Sequence, residues 1–183
     1  MQSKIQNRLI GFLLIIVTLV LDQGTKFHVI TDLMNPPQVI PVTSFFNFTL
    51  AWNTGVSFSL FDSYGDLGTQ LLLAVAGIIS LIFMVWLWRS ENRFLSAGLG
   101  MVIGGALGNI IDRVRYGAVM DFLDFYYGDY HWPAFNLADT FICVGVLFIL
   151  IESFLEDKSS QKDTNQKDIN QEDTKERKGD KNA

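Results

Sequence analysis

The sequence is poor in the residues from which disulfides and metal centres are built. It contains one cysteine, Cys143, and two histidines, His28 and His131. A lone cysteine excludes an intrachain disulfide, and no His/Cys cluster has zinc-ligand spacing. No basic patch is typical of nucleic-acid binding, and no glycine-rich phosphate loop follows a predicted strand. The sequence therefore predicts no metal, no cofactor and no nucleic-acid partner.

Charge is also scarce, except at the end of the chain. Of 19 acidic and 14 basic residues, only 11 and 7 fall in residues 1–155, and 49% of the chain is hydrophobic. So little charge among long apolar runs indicates an integral membrane protein. Residues 156–183 repeat a polar pentad with almost no apolar content. We expect a disordered cytoplasmic tail there, beyond a membrane domain at 1–155.

Four apolar segments have the ~20-residue length that crosses a bilayer. The first resembles a signal peptide, but no small-x-small cleavage site follows it, so we expect an uncleaved span. The predicted spans are 9–29, 67–88, 94–111 and 135–155. In the third span, Gly100, Gly104 and Gly108 recur every four residues, which predicts close packing of that helix against another.

The basic residues predict the orientation of these spans. Four spans place both termini on one side, together with the basic 89–93 linker and the lysines beyond 155. The positive-inside rule makes that side cytoplasmic. Arg113 and Arg115 are the exception, since they fall in the second outer loop, and we expect them to pair locally with Asp112.

The first outer loop has the pattern of a β-hairpin. Apolar residues alternate from 46 to 52 and again from 56 to 60, around a glycine-containing turn at 53–55. This period predicts half-buried strands, although a stacked hydrophobic mini-core would give the same pattern. The predicted fold is therefore an all-α polytopic membrane protein, with four transmembrane helices and a small extracytoplasmic β-hairpin or sheet.

Polar residues that are unusual in such a protein all fall near the outer face in this layout. They are Asp22, Lys26, Asn53, Asn109, Asp112, Arg113, Asp121, Asn136 and Asp139. Ionisable groups within a membrane are costly and usually face a partner, water or the bundle interior. Asp22 and Lys26 are four residues apart and can pair on one helix, while Asn109, Asp112 and Arg113 share a helix side. A structural role is favoured for both groups.

Asp121 and Asp139 differ because neither has a basic residue three or four positions away. Two carboxylates brought together in a low dielectric share a proton. One can then activate a water while the other, protonated, polarises a carbonyl. The residues alone leave a proton relay or a structural role open, and Asp124 is an alternative partner.

The polar motifs resemble those of the lipoprotein signal peptidases (signal peptidase II), which are bacterial membrane aspartyl proteases. The matching motifs are Asp22-Gln23-Gly24-Thr25-Lys26, Asn53-Thr54-Gly55, Gly108-Asn109-Ile110-Ile111-Asp112-Arg113, Gly117-Ala118-Val119-Met120-Asp121-Phe122 and Phe135-Asn136-Leu137-Ala138-Asp139. They occur in the family's order and cover residues 9–155. The long polar tail departs from the family pattern.

The resemblance implies a metal-free enzyme of the bacterial inner membrane, acting at its outer face. Its substrates would be prolipoproteins, cut just before a cysteine that carries a diacylglyceryl group, and its partners are otherwise membrane lipids; we expect a monomer. The resemblance places the catalytic pair on Asp121 and Asp139 rather than on Asp124. Substrate-binding or supporting positions fall on Asp22, Lys26, Asn53, Gly55, Asn109, Asp112, Arg113 and Asn136.

Three other interpretations remain from the residues themselves. Ser57 or Ser59 with Lys26 could form a serine–lysine pair, as in type I signal peptidases. A small proton-coupled transporter could use Asp22, Asp121 and Asp139 as a relay. A membrane scaffold could use the outer charges only to hold its helices together.

Overall fold

The computed structural model describes residues 2–55 and 66–155. The predicted tail at 156–183, the second half of the predicted hairpin at 56–60, and with it Ser57 and Ser59, lie outside these residues.

Four helices in the described ranges are long and apolar enough to cross a membrane, which confirms the four predicted spans. They are α1 (Gln2–His28), continued by a π-helical turn (Val29–Leu33), α2 (Asp66–Arg89), α3 (Arg93–Tyr116) and α4 (Leu137–Leu155). Hydrogen bonds join their ends: Asn7 donates to the Glu91 carbonyl, and the Asn92 amide donates to Glu152. The start of α1, the α2–α3 linker and the end of α4 therefore share one end of the bundle.

The helices do not coincide with the predicted spans at every end. Helix α3 runs to Tyr116 instead of ending at 111, because the charged side chain of Asp112 is buried and paired inside the bundle. Gly117, at φ 73°, then ends the helix in the left-handed conformation that glycine adopts most readily. Helix α4 begins after residue 136 because Phe135 still pairs with Leu123 through its backbone.

Helix α3 is the central helix of the bundle. In its most apolar stretch 61% of residues are buried, against 22% or less in the other three helices. The apolar side chains of α2 and α4 point mostly outward, as expected for helices in contact with lipid.

Glycines allow α3 to pack closely against its neighbours, as the four-residue spacing predicted. Gly100 lies against the backbone of Gly11 on α1, and Gly104 lies against the backbone of Ile15. On another face, Gly98 of α3 meets Gly145 of α4. A methyl group at any of these glycines would overlap neighbouring backbone atoms.

A four-stranded antiparallel sheet covers the other end of the bundle. Its strands, in spatial order, are β1 (Ile40–Thr43), β2 (Phe46–Asn53), β3 (Val119–Tyr127) and β4 (Tyr130–His131). The alternation at 46–52 therefore predicted a strand correctly, but its neighbours are β1 and β3. Asp121, in the segment between the third and fourth predicted spans, lies on β3 opposite Ala51.

The sheet is fixed to the bundle by a small apolar core. Val29 and Met34, at the π-helical end of α1, pack with Met120 and Phe122 of β3, and all four are at most 4% exposed. Because Met120 and Phe122 flank Asp121, this core also fixes the position of the Asp121 backbone, from which the carboxylate projects.

The glycine contacts can be tested by comparing Gly100→Ala with Gly77→Ala. A methyl at position 100 overlaps the α1 backbone, whereas one at position 77 of α2 meets open space. We expect Gly100→Ala to lower the free energy of unfolding by roughly 1–3 kcal/mol and Gly77→Ala to leave it unchanged. Thermal unfolding in detergent measures both. Equal melting temperatures for the two variants would contradict close packing at Gly100.

Candidate active site

The first turn of α4 holds Asp139 in a fixed orientation. The Asn136 side-chain oxygen accepts from the Asp139 N–H at 3.0 Å, and Asp139 Oδ2 accepts from the Asn136 N–H at 3.1 Å. This reciprocal arrangement is a capping box, which satisfies N–H groups that a helix start leaves unpaired. The second oxygen of Asp139, Oδ1, accepts from Asn109 Nδ2 at 2.8 Å.

Asp121 is held from two other directions. Its Oδ1 accepts from Asn136 Nδ2 at 2.8 Å, and its Oδ2 accepts from Asn53 Nδ2 at 3.1 Å. The Gly55 N–H donates to Asn53 Oδ1 at 3.2 Å, which turns the Asn53 amide nitrogen towards Asp121. Asp121 is 3% exposed.

Asn136 and Asn109 join the two aspartates. Asn136 Nδ2 donates both to Asp121 and to Asn109 Oδ1, the latter at 3.1 Å. Asn109 in turn donates to Asp139. The structure thus brings Asp121, Asp139, Asn53, Asn109 and Asn136 into one cluster, and the four oxygens of the two aspartates all accept hydrogen bonds.

Burial raises the pKa of Asp121 from its usual 3.8 to about 6, and the negative charge of Asp139 adds to the rise. Hydrogen bonds from Asn53 and Asn136 and the positive charge of Lys26 act in the opposite direction. Asp121 can therefore hold or release a proton close to neutral pH, as an acid–base catalyst must.

A second buried group lies beside the two aspartates, between α1 and α3. Lys26 Nζ lies 3.0 Å from Asp22 Oδ2 and 2.7 Å from Asp112 Oδ2, and it donates to Asn109 Oδ1 at 3.1 Å. The predicted Asp22–Lys26 pair is present. The predicted local pairing of Asp112 with Arg113 and Arg115 is wrong, because tertiary packing brings Lys26 to Asp112 instead.

Arg113 lies near the aspartates without joining their hydrogen bonds. Asp139 and Asp121 are the charges that act on it most strongly, yet its Nε is buried and has no hydrogen-bond partner among residues 2–55 and 66–155. Its guanidinium therefore contributes positive charge to the site and has one donor that no described residue uses.

Asp124, the alternative partner, is engaged elsewhere on the sheet. Its Oδ2 accepts from Asn47 Nδ2 at 3.1 Å, and its Oδ1 lies 2.8 Å from His131 Nδ1. It makes no contact with the cluster around Asp121 and Asp139 in the described part of the chain.

Sequence reasoning missed Gln23 and the capping box. Gln23 Nε2 donates to Asp22 Oδ2 at 3.1 Å and to Asp112 Oδ1 at 3.0 Å. Gln23 stands in one of the matching motifs and inside the first predicted span, but no role was assigned to it because its partner Asp112 lies 89 residues away. The capping box could have been found, because Asn136 and Asp139 stand three residues apart just before an apolar run.

Residues 14–155 match the family model described as Signal peptidase (SPase) II. A lipoprotein signal peptidase of Rhodopseudomonas palustris (strain TIE-1) is 41% identical over 151 residues, which cover 80% of this chain and 92% of that protein. One of Acinetobacter baylyi is 40% identical over 154 residues, covering 83% and 86%. A solved bacterial membrane enzyme, at 29% identity, superposes with a TM-score of 0.70 over 82% of this chain and 90% of its own.

The hydrogen bond from Asn53 can be tested by titrating Asp121. Because this bond favours the carboxylate, Asn53→Ala should raise the pKa of Asp121 above about 6. Asn47→Ala is the matched control, since Asn47 makes the same contact to Asp124 on the same sheet. The infrared band of protonated carboxyl groups, followed against pH with Asp121→Asn as the blank, reports the midpoint. An unchanged midpoint in Asn53→Ala, or an equal shift in Asn47→Ala, would contradict the assignment.

Proposed function

We propose that this chain, which belongs to the signal peptidase II family, is an aspartic endopeptidase that removes the signal peptide from bacterial prolipoproteins. It would cut on the N-terminal side of a cysteine that carries a diacylglyceryl group. The observation that carries the proposal is a pair of carboxylates, Asp121 and Asp139, joined through Asn136 at one end of a membrane-spanning bundle.

The proposed chemistry uses the two aspartates in opposite protonation states. The ionised carboxylate takes a proton from a water, which attacks the scissile carbonyl, while the protonated carboxyl donates to the carbonyl oxygen. When the tetrahedral intermediate breaks down, a proton passes to the leaving amine. Asn53, Asn109 and Asn136 keep both carboxylates in place and complete their hydrogen bonding, so little reorganisation is needed.

The proposed orientation puts this site at the outer face of the inner membrane and both termini in the cytoplasm. The basic residues at the bundle end away from the sheet support it. A lipid-modified cysteine is anchored among lipid head groups, so its peptide bond is presented at the depth of the bundle end. We further propose that residues 1–155 form the peptidase unit, that the tail at 156–183 is dispensable and that the enzyme acts as a monomer.

The transporter interpretation is not supported, since the relatives are lipoprotein signal peptidases. The serine–lysine interpretation is disfavoured by the surroundings of Lys26. All three donors of its ammonium are used, by Asp22, Asp112 and Asn109. Its nitrogen therefore has no position left with which to take the proton of a serine hydroxyl.

Replacing either aspartate should abolish cleavage. Asp121→Asn and Asp139→Asn should each slow cleavage of a diacylglyceryl-modified prolipoprotein by about 10²- to 10⁴-fold, because each removes an acid–base group. Asp124→Asn is the matched control on the same strand and should cleave at the wild-type rate. A gel-shift assay with folded protein measures all three. Substantial activity in Asp121→Asn or Asp139→Asn would refute the assignment. An inactive but folded Asp124→Asn would instead indicate that Asp124 is one of the catalytic pair.

Thiol labelling can test the orientation. With Cys143→Ser as background, single cysteines are introduced at Tyr127, which is 89% exposed on the sheet, and at Glu91 in the α2–α3 linker. A membrane-impermeant maleimide should label the Tyr127→Cys variant in spheroplasts and the Glu91→Cys variant only after lysis. The reverse pattern would place the site on the cytoplasmic side.

A further inference from the structure

Each aspartate of the proposed pair follows a residue whose backbone N–H is held by another buried carboxylate. The Met120 N–H, just before Asp121, donates to Asp112 Oδ2 at 3.2 Å. The Ala138 N–H, just before Asp139, donates to Asp22 Oδ1 at 3.0 Å. Asp112 and Asp22 are 2% and 0% exposed, so neither contact competes with water.

The same two side chains hold these supporting carboxylates together. Lys26 Nζ lies 3.0 Å from Asp22 and 2.7 Å from Asp112, and Gln23 Nε2 donates to both, at 3.1 and 3.0 Å. Two buried carboxylates would otherwise repel each other strongly. Lys26 supplies the balancing charge, and Gln23 supplies a second bridge that carries no charge.

We propose that Gln23 and Lys26, through Asp22 and Asp112, set the separation between Asp121 and Asp139. These four residues are here called the clamp. Its two carboxylates accept hydrogen bonds from the backbone of β3 and of the first turn of α4, one residue before each aspartate. The inference rests on the proposed function, because it assumes that the two aspartates react together. Gln23 and Lys26 are thus positioning residues that act through the backbone.

The clamp complements the contacts made by the asparagines. Asn53, Asn109 and Asn136 touch the aspartate carboxylates and so fix their rotation and hydrogen bonding. The clamp contacts the backbone before each aspartate and so fixes the position from which each side chain projects; its one contact with the asparagines is from Lys26 to Asn109. Strand β3 and helix α4 are separate elements, and a displacement of about 1 Å between reacting groups can cost about 100-fold in rate.

Gly108 offers a way to disturb the clamp without removing a polar group. Its missing side chain leaves the space that the Asp22 carboxylate occupies, so a methyl at 108 must push that carboxylate away. Gly104, one turn earlier on α3, meets Ile15 and Thr18 instead. Gly104→Ala therefore disturbs helix packing alone, and Gly77→Ala disturbs neither.

The test compares kcat and KM for cleavage of a diacylglyceryl-modified prolipoprotein, normalised to the folded fraction from thermal unfolding. Gln23→Met, which keeps the length of the side chain but donates no hydrogen bond, and Gly108→Ala should each lower kcat by about 10- to 100-fold. KM should stay within about twofold, because the clamp does not touch the substrate. Gly104→Ala should melt at a lower temperature with an unchanged kcat per folded enzyme, and Gly77→Ala should match wild type.

Three results would overturn the clamp. The first is a kcat for folded Gln23→Met within about twofold of wild type, which would refute the clamp even if Gly108→Ala does not fold. The second is a fall in kcat that only mirrors the folded fraction. The third is an equal loss per folded enzyme in Gly104→Ala. Failure of wild type to cleave the substrate, or activity in Asp121→Asn, would instead refute the proposed function.

Discussion

The structure depends on one buried ammonium group. Lys26 is 4% exposed and sits within a membrane-spanning helix, where removing a charge from water is costly. The cost is offset because Asp22, Asp112 and Asn109 take up its three donors. Through Asp22, Asp112 and Asn109, the ammonium of Lys26 on α1 is linked by hydrogen bonds to α3, to the sheet and to the start of α4. Removing it would leave two carboxylates buried side by side without compensation.

The close approach of the helices makes this arrangement possible. Lipid is as apolar as the helices, so they associate through packing and hydrogen bonds rather than through the hydrophobic effect. The glycines of α3 bring its backbone against α1, and at Gly108 the same device makes room for a carboxylate. Packing and electrostatics are therefore not separate contributions here, since the Asp22 carboxylate that pairs with Lys26 lies in space that Gly108 leaves free.

Much of the architecture could be predicted from the sequence because its causes are local. The length of the apolar runs predicted the spans, and the cost of burying charge singled out the polar residues. The pairing of β3 could not be predicted, because its partner β2 lies about seventy residues away and strand preference depends on such partners. The partner of Asp112 was mispredicted for the same reason. Closeness along the chain favoured the nearby arginines, whereas the fold places Lys26 beside Asp112.

The order of the elements has a consequence for biogenesis. Asp139 and the Ala138 amide are carried by α4, the last of the four membrane-spanning helices among the described residues. While the chain is being inserted, α1 and α3 can already share the charge of Lys26, but Asp121 has neither its partner nor Asn136. The proposed catalytic pair is therefore completed only once α4 is in place, and a chain that lacks α4 carries no assembled pair of aspartates.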